Sequence, residues 1–315
     1  MTEERLDDLL RSMEYTLAAR RRSPATIDQY QRSLIRFYQW LDARGEIDIS
    51  AVTPGVVEEW MTSLQRTVVG KGADGLPKLM APSTVRYNYA GLRGFYKWHS
   101  RREGYVTPFA AVESPSVPET RKDVVSTRDM KRVLDYLRAA GRLRDVALVG
   151  LLYDTGMRAS EVCGVKTTDI VWANARQKQD VSFIKLEDTK NGETRDVPIS
   201  YAAGEMLDLW LSKRKDKGND WLFPNLRTGR PLTRSGLLQV VKEAFEDIGL
   251  KGIGPHDLRH TFATHFLDGD SAKVGDLMAI GGWRSEQMAR HYTKDGKQRR
   301  AMKSHRENSP LSRLG

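Results

Sequence analysis

Pro108, Pro115 and Pro118 fall in a stretch, Pro108 to Asp123, that carries Glu, Ser, Val and Thr without any hydrophobic period. Proline fixes φ and lacks a backbone donor, so such a stretch neither continues a helix nor enters the middle of a sheet. It divides the chain into two bodies joined by an extended linker, and each body has to bury a core of its own. With 315 residues there is chain enough for both, since domains run to roughly 100–200 residues. The divisions expected are a first domain over 1–110, a linker over 111–123, a second domain over 124–292 and a tail over 293–315.

The first body reads as helices. Ser23-Pro24 pairs a good N-cap with a proline at the first helical position, and Ile27, Tyr30, Leu34, Phe37, Tyr38 and Leu41 follow at helical spacing. Thr53-Pro54 opens another such run, with Val57, Trp60, Met61 and Leu64 on one face. After Pro82 the pattern returns in Val85, Tyr89, Leu92, Phe95, Tyr96 and His99. With the amphipathic N-terminal segment (Leu6, Leu9, Leu10, Met13, Leu17) this predicts a bundle of about four helices. The Gly-rich stretch Gly70 to Gly75 is expected to be a loop.

The second body is mixed. Helical segments are expected around Met130–Ala140 and Leu143–Tyr153, then at Leu237, Val241, Phe245 and Ile248, and again at Leu258, Phe262 and Phe266. Between them Val181–Glu187 and Glu193–Ile199 read as strands, and Asn191-Gly192 is a hairpin turn signal. The fold class expected is mainly α, an all-helical domain followed by a mostly helical one with a small antiparallel β-sheet.

Charge and composition narrow the function. Lys and Arg total 51 against 41 for Asp and Glu, a net charge of +10, which favours polyanionic partners. Half of that excess sits after Tyr292, where Lys294, Lys297, Arg299, Arg300, Lys303, Arg306 and Arg313 face only Asp295 and Glu307. The longest apolar run, Val146 to Tyr153, is far below the ~20 residues that span a bilayer. The acidic start MTEERLDDLL does not resemble a secretory signal. Cys163 is the one cysteine, which excludes internal disulfides and Cys-rich metal centres, and its apolar neighbours make it a small core residue. A cytoplasmic, nucleic-acid-binding protein without membrane attachment is expected.

Four stretches of the second body gather polar residues at predicted helix ends and turns: LLYDTGMRASEV, DTKNGETRDVPI, HDLRHTFATH and GGWRSEQMARHY. Each has a plain explanation alone. An arginine at a helix start is usually solvated, a lysine at a hairpin tip keeps it soluble, and Trp283 taken singly is core. His256 and His260 have the spacing of a zinc pair, but Asp257 replaces the Glu of H-E-x-x-H and no third ligand follows. Lys71 after Gly70 lacks the rest of a P-loop. No metal and no nucleotide cofactor is expected.

Together, in this order, the four stretches resemble the tyrosine recombinase (phage integrase) family. The resemblance puts that family's first catalytic arginine at Arg158, its hairpin lysine at Lys190, its His-x-x-Arg box at His256 and Arg259, its His-or-Trp position at Trp283 and its nucleophile at Tyr292. Glu161, one turn after Arg158, is implied to orient the site. The N-terminal SPATIDQYQRSLIRFYQWL and APSTVRYNYAGLRGFYKW look like the family's SAM-like core-site-binding domain. On that helix Ser83, Arg86, Tyr87 and Arg93 are implied DNA contacts, and Arg20, Arg21 and Arg22 precede another helix there.

The residue types suit the implied chemistry. Attack on a phosphodiester builds negative charge on the non-bridging oxygens, and two arginines clamp it with planar donors that stay charged. An indole N–H donates only. A phenol with an ordinary pKa near ~10 needs a cationic pocket to attack at neutral pH, His256 can assist its proton, and Lys190 can protonate the departing 5′-oxygen. The resemblance therefore implies a site-specific DNA recombinase that works through a 3′-phosphotyrosine and a Holliday junction. Integration or excision of a phage or mobile element is the first role expected. An Xer-type resolution of chromosome dimers is the alternative, ahead of a type IB topoisomerase or a non-catalytic regulator. Paired double-stranded sites, a homotetramer on them, a C-terminal tail exchanged between protomers and an accessory DNA-bending or directionality factor belong to the same implication. The helices begin close to the N-terminus, which implies the two-domain form without an arm-site-binding domain.

Overall fold

The computed structural model describes residues 3–45, 48–72, 74–118, 124–173, 181–188, 193–216, 218–269 and 271–286. Lys190, Tyr292 and the whole tail lie outside them. The chain forms two compact units, Met1–Arg121 and Lys122–Gly315.

In the first unit α1 (Glu3–Ala19), α2 (Pro24–Asp42), α3 (Pro54–Arg66) and α4 (Pro82–Glu103) form the bundle that the apolar spacing predicts. The hydroxyl of Ser23 accepts from the Thr26 N–H at 3.3 Å, and that of Thr53 from the Val56 N–H at 3.4 Å, satisfying donors that a helix start leaves open. The core is aromatic: Phe37 meets the Trp60 ring edge-on with centroids 5.1 Å apart, and Phe95 meets Tyr96 at 5.2 Å. The buried Tyr96 hydroxyl donates to the Ile49 carbonyl at 3.0 Å, and Tyr89 donates to Val112 at 2.9 Å. Val112, in the stretch expected as linker, is thereby buried against this unit.

The expected loop at Gly70–Gly75 begins within a strand, since β1 (Val68–Lys71) pairs with β2 (Pro77–Leu79), antiparallel and bulged between Val68 and Gly70. Every residue of both strands is exposed. With no buried face there is no alternation for a sequence to display.

The second unit runs α5 (Thr127–Ala139), α6 (Leu143–Thr155), α7 (Ala159–Gly164), β3 (Ile170–Val171), β4 (Phe183–Asp188), β5 (Glu193–Pro198), α8 (Tyr201–Lys213), α9 (Arg234–Glu246), α10 (Pro255–Leu267) and α11 (Val274–Gly281). Most of α6 is buried, from Asp145 to Leu152, because α5, α8, α9 and α10 pack around it. The sheet is antiparallel in the order β3-β4-β5, with Ile184 opposite Val197 and Leu186 opposite Arg195. Val197 and Ile199 point into the core, and period two puts Arg195 on that same inward face. The short strand β3 and the helices α8 and α11 complete the unit.

Candidate active site

The turn after α6 positions the first arginine. Gly156 caps the helix in the left-handed region at φ +58°, and its N–H returns to the Leu152 carbonyl. A Cβ there would sit 2.1 Å from the Phe262 ring of α10. The turn thus needs glycine twice, for its backbone and for its closeness to α10. Two residues on, Arg158 is the N-cap of α7, and its own N–H donates to Glu161 Oε2 at 2.7 Å.

Glu161 is the hub. Its Oε1 accepts from Arg158 Nη1 at 2.7 Å and from Arg195 Nη1 at 3.0 Å; its Oε2 also accepts from Arg195 Nη2 at 2.9 Å. Burial alone would push this carboxyl up, but the hydrogen bonds from Arg195 and Arg158 and the Arg195 charge hold it below the usual carboxylate range. A carboxylate so placed stays ionised at neutral pH and acts as a fixed acceptor.

Arginines also converge on the end of α11. Arg158 Nη2 donates to the Gly282 carbonyl at 2.7 Å, Arg259 Nη2 to Gly281 at 2.8 Å and Arg195 Nε to Ile280 at 3.3 Å. Three consecutive carbonyls at a helix C-terminus thus each take a guanidinium from a different element, where the helix dipole also favours cations. Arg259 reaches the Gly156 carbonyl as well, which ties α10 to the turn before Arg158. These shared peptides bring Arg158 and Arg259 to neighbouring positions. Arg259 is 4% exposed, whereas the Arg158 side chain is 42% exposed and open to a ligand.

Trp283 follows directly. Its backbone N–H donates to the Met278 carbonyl at 3.1 Å, closing a cap in which Gly282 is left-handed at φ +66°. The indole is buried with Phe262, Leu267 and Leu277, and the Arg259 guanidinium carbon lies 4.0 Å from its ring centre. His256 sits in the first turn of α10, exposed, after Gly254 and Pro255, and the Gly254 N–H donates to Asp257 at 2.9 Å.

Arg158, Glu161, Arg259 and Trp283, picked out from the sequence, therefore meet in one place, with His256 on the same helix as Arg259. Ser83, Arg86, Tyr87 and Arg93 all stand on the exposed side of α4 in the first unit. The sequence reading missed Arg195. Its signal was an arginine at the inward register of a strand, sharing a face with Val197 and Ile199. Burial pushes the Cys163 thiol up to about 11 despite Arg234 nearby, which suits a packing residue and not a nucleophile. Among the described residues no group of His, Cys, Asp and Glu could hold a metal ion, and no helix is long and apolar enough to cross a membrane.

Comparison with known proteins gives the same picture over most of the chain. Residues 123–299 match the phage integrase family and residues 13–103 the phage integrase N-terminal SAM-like domain. The tyrosine recombinase XerD of Corynebacterium glutamicum is 32% identical over 287 residues, which cover 87% of this chain and 89% of that protein. Tyrosine recombinase XerC of Halalkalibacterium halodurans is 28% identical over 297 residues, covering 89% and 91%. In fold, the chain resembles the XerH site-specific recombinase bound to a palindromic difH substrate in a post-cleavage complex (TM-score 0.70, 19% identity, 94% of this chain and 84% of that one). It also resembles a lambda integrase tetramer bound to a Holliday junction (TM-score 0.66, 17% identity, 91% and 77%). The arginine cluster thus lies within the stretch that carries the family match, and the chain belongs to the phage integrase family of tyrosine recombinases.

Proposed function

We propose that the chain is a site-specific DNA recombinase whose Tyr292 cuts one strand and holds it as a 3′-phosphotyrosine. The observation that carries this reading is the meeting of Arg158, Arg259 and Trp283 at the last turn of α11, nine residues before Tyr292 in the chain. Two guanidinium groups held on adjacent peptides concentrate positive charge for a tetrahedral anion, and the exposed planar donors of Arg158 match the non-bridging oxygens of a phosphodiester. Fixed before the substrate arrives, they stabilise the charge of the five-coordinate transition state without reorganising.

The Tyr292 oxygen attacks phosphorus, the bond to the 5′-oxygen breaks, and Lys190 protonates that oxygen as it leaves. The phenol proton passes toward His256. A second 5′-hydroxyl then attacks the phosphotyrosine and releases Tyr292. One phosphodiester replaces another at each step, so the exchange needs no energy source and no cofactor. Two such exchanges, one for each pair of strands, pass through a Holliday junction in a homotetramer on paired double-stranded sites. The tail is exchanged between protomers, and an accessory DNA-bending or directionality factor takes part.

Integration or excision of a phage or mobile element is the role we favour. Xer-type resolution of chromosome dimers is supported by the similarity to XerD and XerC proteins over most of the chain. Attachment-site repeats beside the gene argue for the first, and rescue of a strain deficient in dimer resolution for the second. The chemistry is tested on a nicked substrate that traps the covalent complex. Wild type gives an adduct that survives EDTA, while Tyr292→Phe gives none and binds DNA as before. An adduct formed by the variant, or one abolished by chelation, overturns the mechanism.

A further inference from the structure

We infer that Arg195 is a positioning residue for strand cleavage, acting through Glu161 on Arg158 and through the Ile280 carbonyl on the last turn of α11; this rests on the recombinase reading above. All three nitrogens of its guanidinium donate: Nη1 and Nη2 to the two Glu161 oxygens at 3.0 and 2.9 Å, and Nε to Ile280 at 3.3 Å. A planar fork fills this arrangement and an ammonium does not.

The demand on Glu161 explains the need. The carboxylate has about four acceptor positions, and they are met by the Arg158 N–H, Arg158 Nη1 and the two Arg195 donors. With Arg195 in place Glu161 is saturated and holds Arg158 by one nitrogen, with Nη2 on the Gly282 carbonyl. Without Arg195, two acceptor positions of a largely buried carboxylate open beside Arg158. The cheapest way to fill them is to draw the Arg158 guanidinium further onto Glu161, away from a phosphate.

A second feature points the same way. A Cβ on Gly282 would lie 2.8 Å from the Arg195 guanidinium carbon, and one on Gly281 would lie 2.0 Å from the Trp283 ring. The Gly-Gly pair leaves room for the guanidinium on one side of the turn and the indole on the other. Arg195 also stands in β5, which begins three residues after Lys190 in the chain. One side chain therefore joins the hairpin strand, the α7 acid and the helix end that leads to Tyr292.

The test measures single-turnover cleavage of the nicked substrate by full-length protein at saturating DNA, together with Kd and melting temperature. Arg195→Ala should cleave about 10²-fold more slowly, the scale of a small misplacement of a reacting group, with Kd within about twofold of wild type. Free guanidinium should restore part of that rate. Arg195→Lys keeps the charge and loses the fork, so it should remain at least about tenfold slow. The double variant with Glu161→Gln should be no slower than the slower single one, because both act on one chain of contacts. A scissile methylphosphonate builds less charge on its oxygens, so the deficits of Arg158→Ala and Arg195→Ala should shrink together on it.

A wild-type rate in Arg195→Lys at wild-type melting temperature overturns the inference even if the alanine variant fails to fold. Losses that multiply in the double variant also overturn it, since they mean that Arg195 acts independently of Glu161. Failure of the underlying reading looks different: wild type then forms no adduct on the same substrate, and both proposals fall.

Discussion

On α4 of the first unit, Arg86 and Arg93 stand two helical turns apart on the exposed face, beside Ser83 and Tyr87, while Phe95, Tyr96 and Trp98 fill the opposite one. In the second unit the arrangement is inverted. Arg259 is 4% exposed and Arg195 only 19% in its side chain; both spend donors on backbone carbonyls, and Arg195 also on the buried acid Glu161. The same residue type is a hydrated, movable charge in one place and a fixed, desolvated donor in the other. Solvated charges give affinity that salt erodes; fixed ones cost desolvation and give geometry. On the function proposed above, the exposed arginines of the first unit serve to hold a polyanion and the fixed ones of the second to act on one phosphate of it.

Removing one buried arginine puts this contrast under the most severe strain. Arg259→Ala should lower the cleavage rate by about 10²–10³-fold, the usual loss for a preorganised donor, while Kd for a single site changes little. It also removes the cation that lies over Trp283 and the ties to Gly156 and Gly281, so a lower melting temperature should accompany it. Quench-flow cleavage beside gel-shift titration measures both. A variant that loses affinity and keeps its cleavage rate at saturation would make Arg259 an ordinary DNA contact.

The complementary experiment lies on α4. Arg86→Ala with Arg93→Ala should weaken binding across DNA sequences and reduce the salt slope of log Kd by about 2, near one for each phosphate that is no longer neutralised. Cleavage at saturating DNA should stay within about threefold of wild type. An unchanged salt slope would remove this face from the DNA interface.

How far the sequence disclosed these roles depends on what each feature is made of. The turns that carry Arg158 and Arg259 were legible because Gly156 and Gly254-Pro255 punctuate them, and the aromatic bundle because its residues recur at helical spacing. The β1–β2 hairpin was not, because both of its faces are wet and neither imposes a period. Arg195 shares the inward face of its strand with Val197 and Ile199, but an arginine on an apolar face discloses no partner, and the one it finds, Glu161, lies 34 residues away in the chain. The deepest omission concerns the acceptors. Ile280, Gly281 and Gly282 take part through carbonyl groups that every residue has, so no residue letter marks them. The glycines were visible; what they make room for was not.

The mildest consequence concerns the acid that links Arg195 to Arg158. Its folded-state pKa is lowered, because hydrogen bonds from Arg195 and Arg158 outweigh the cost of burial. Glu161 therefore contributes stability that is fully present above its unfolded pKa and is lost as pH falls through the lower, folded value. At pH 7 Glu161→Gln should melt below wild type by roughly 2–4 °C, the shift that about 1 kcal/mol gives a domain of this size. Through the range from pH 7 to 5 the gap should hold, since neither the folded nor the unfolded carboxylate takes up a proton there. Only below the ordinary carboxylate range should the two melting curves approach each other. Arg86→Ala, on the exposed face of the first unit, should show no such convergence, because it removes no buried ionised partner. If the gap instead closes between pH 7 and 5, Glu161 is protonated in the folded protein near neutrality, and the fixed-charge account of the second unit gives way to one in which the acid titrates.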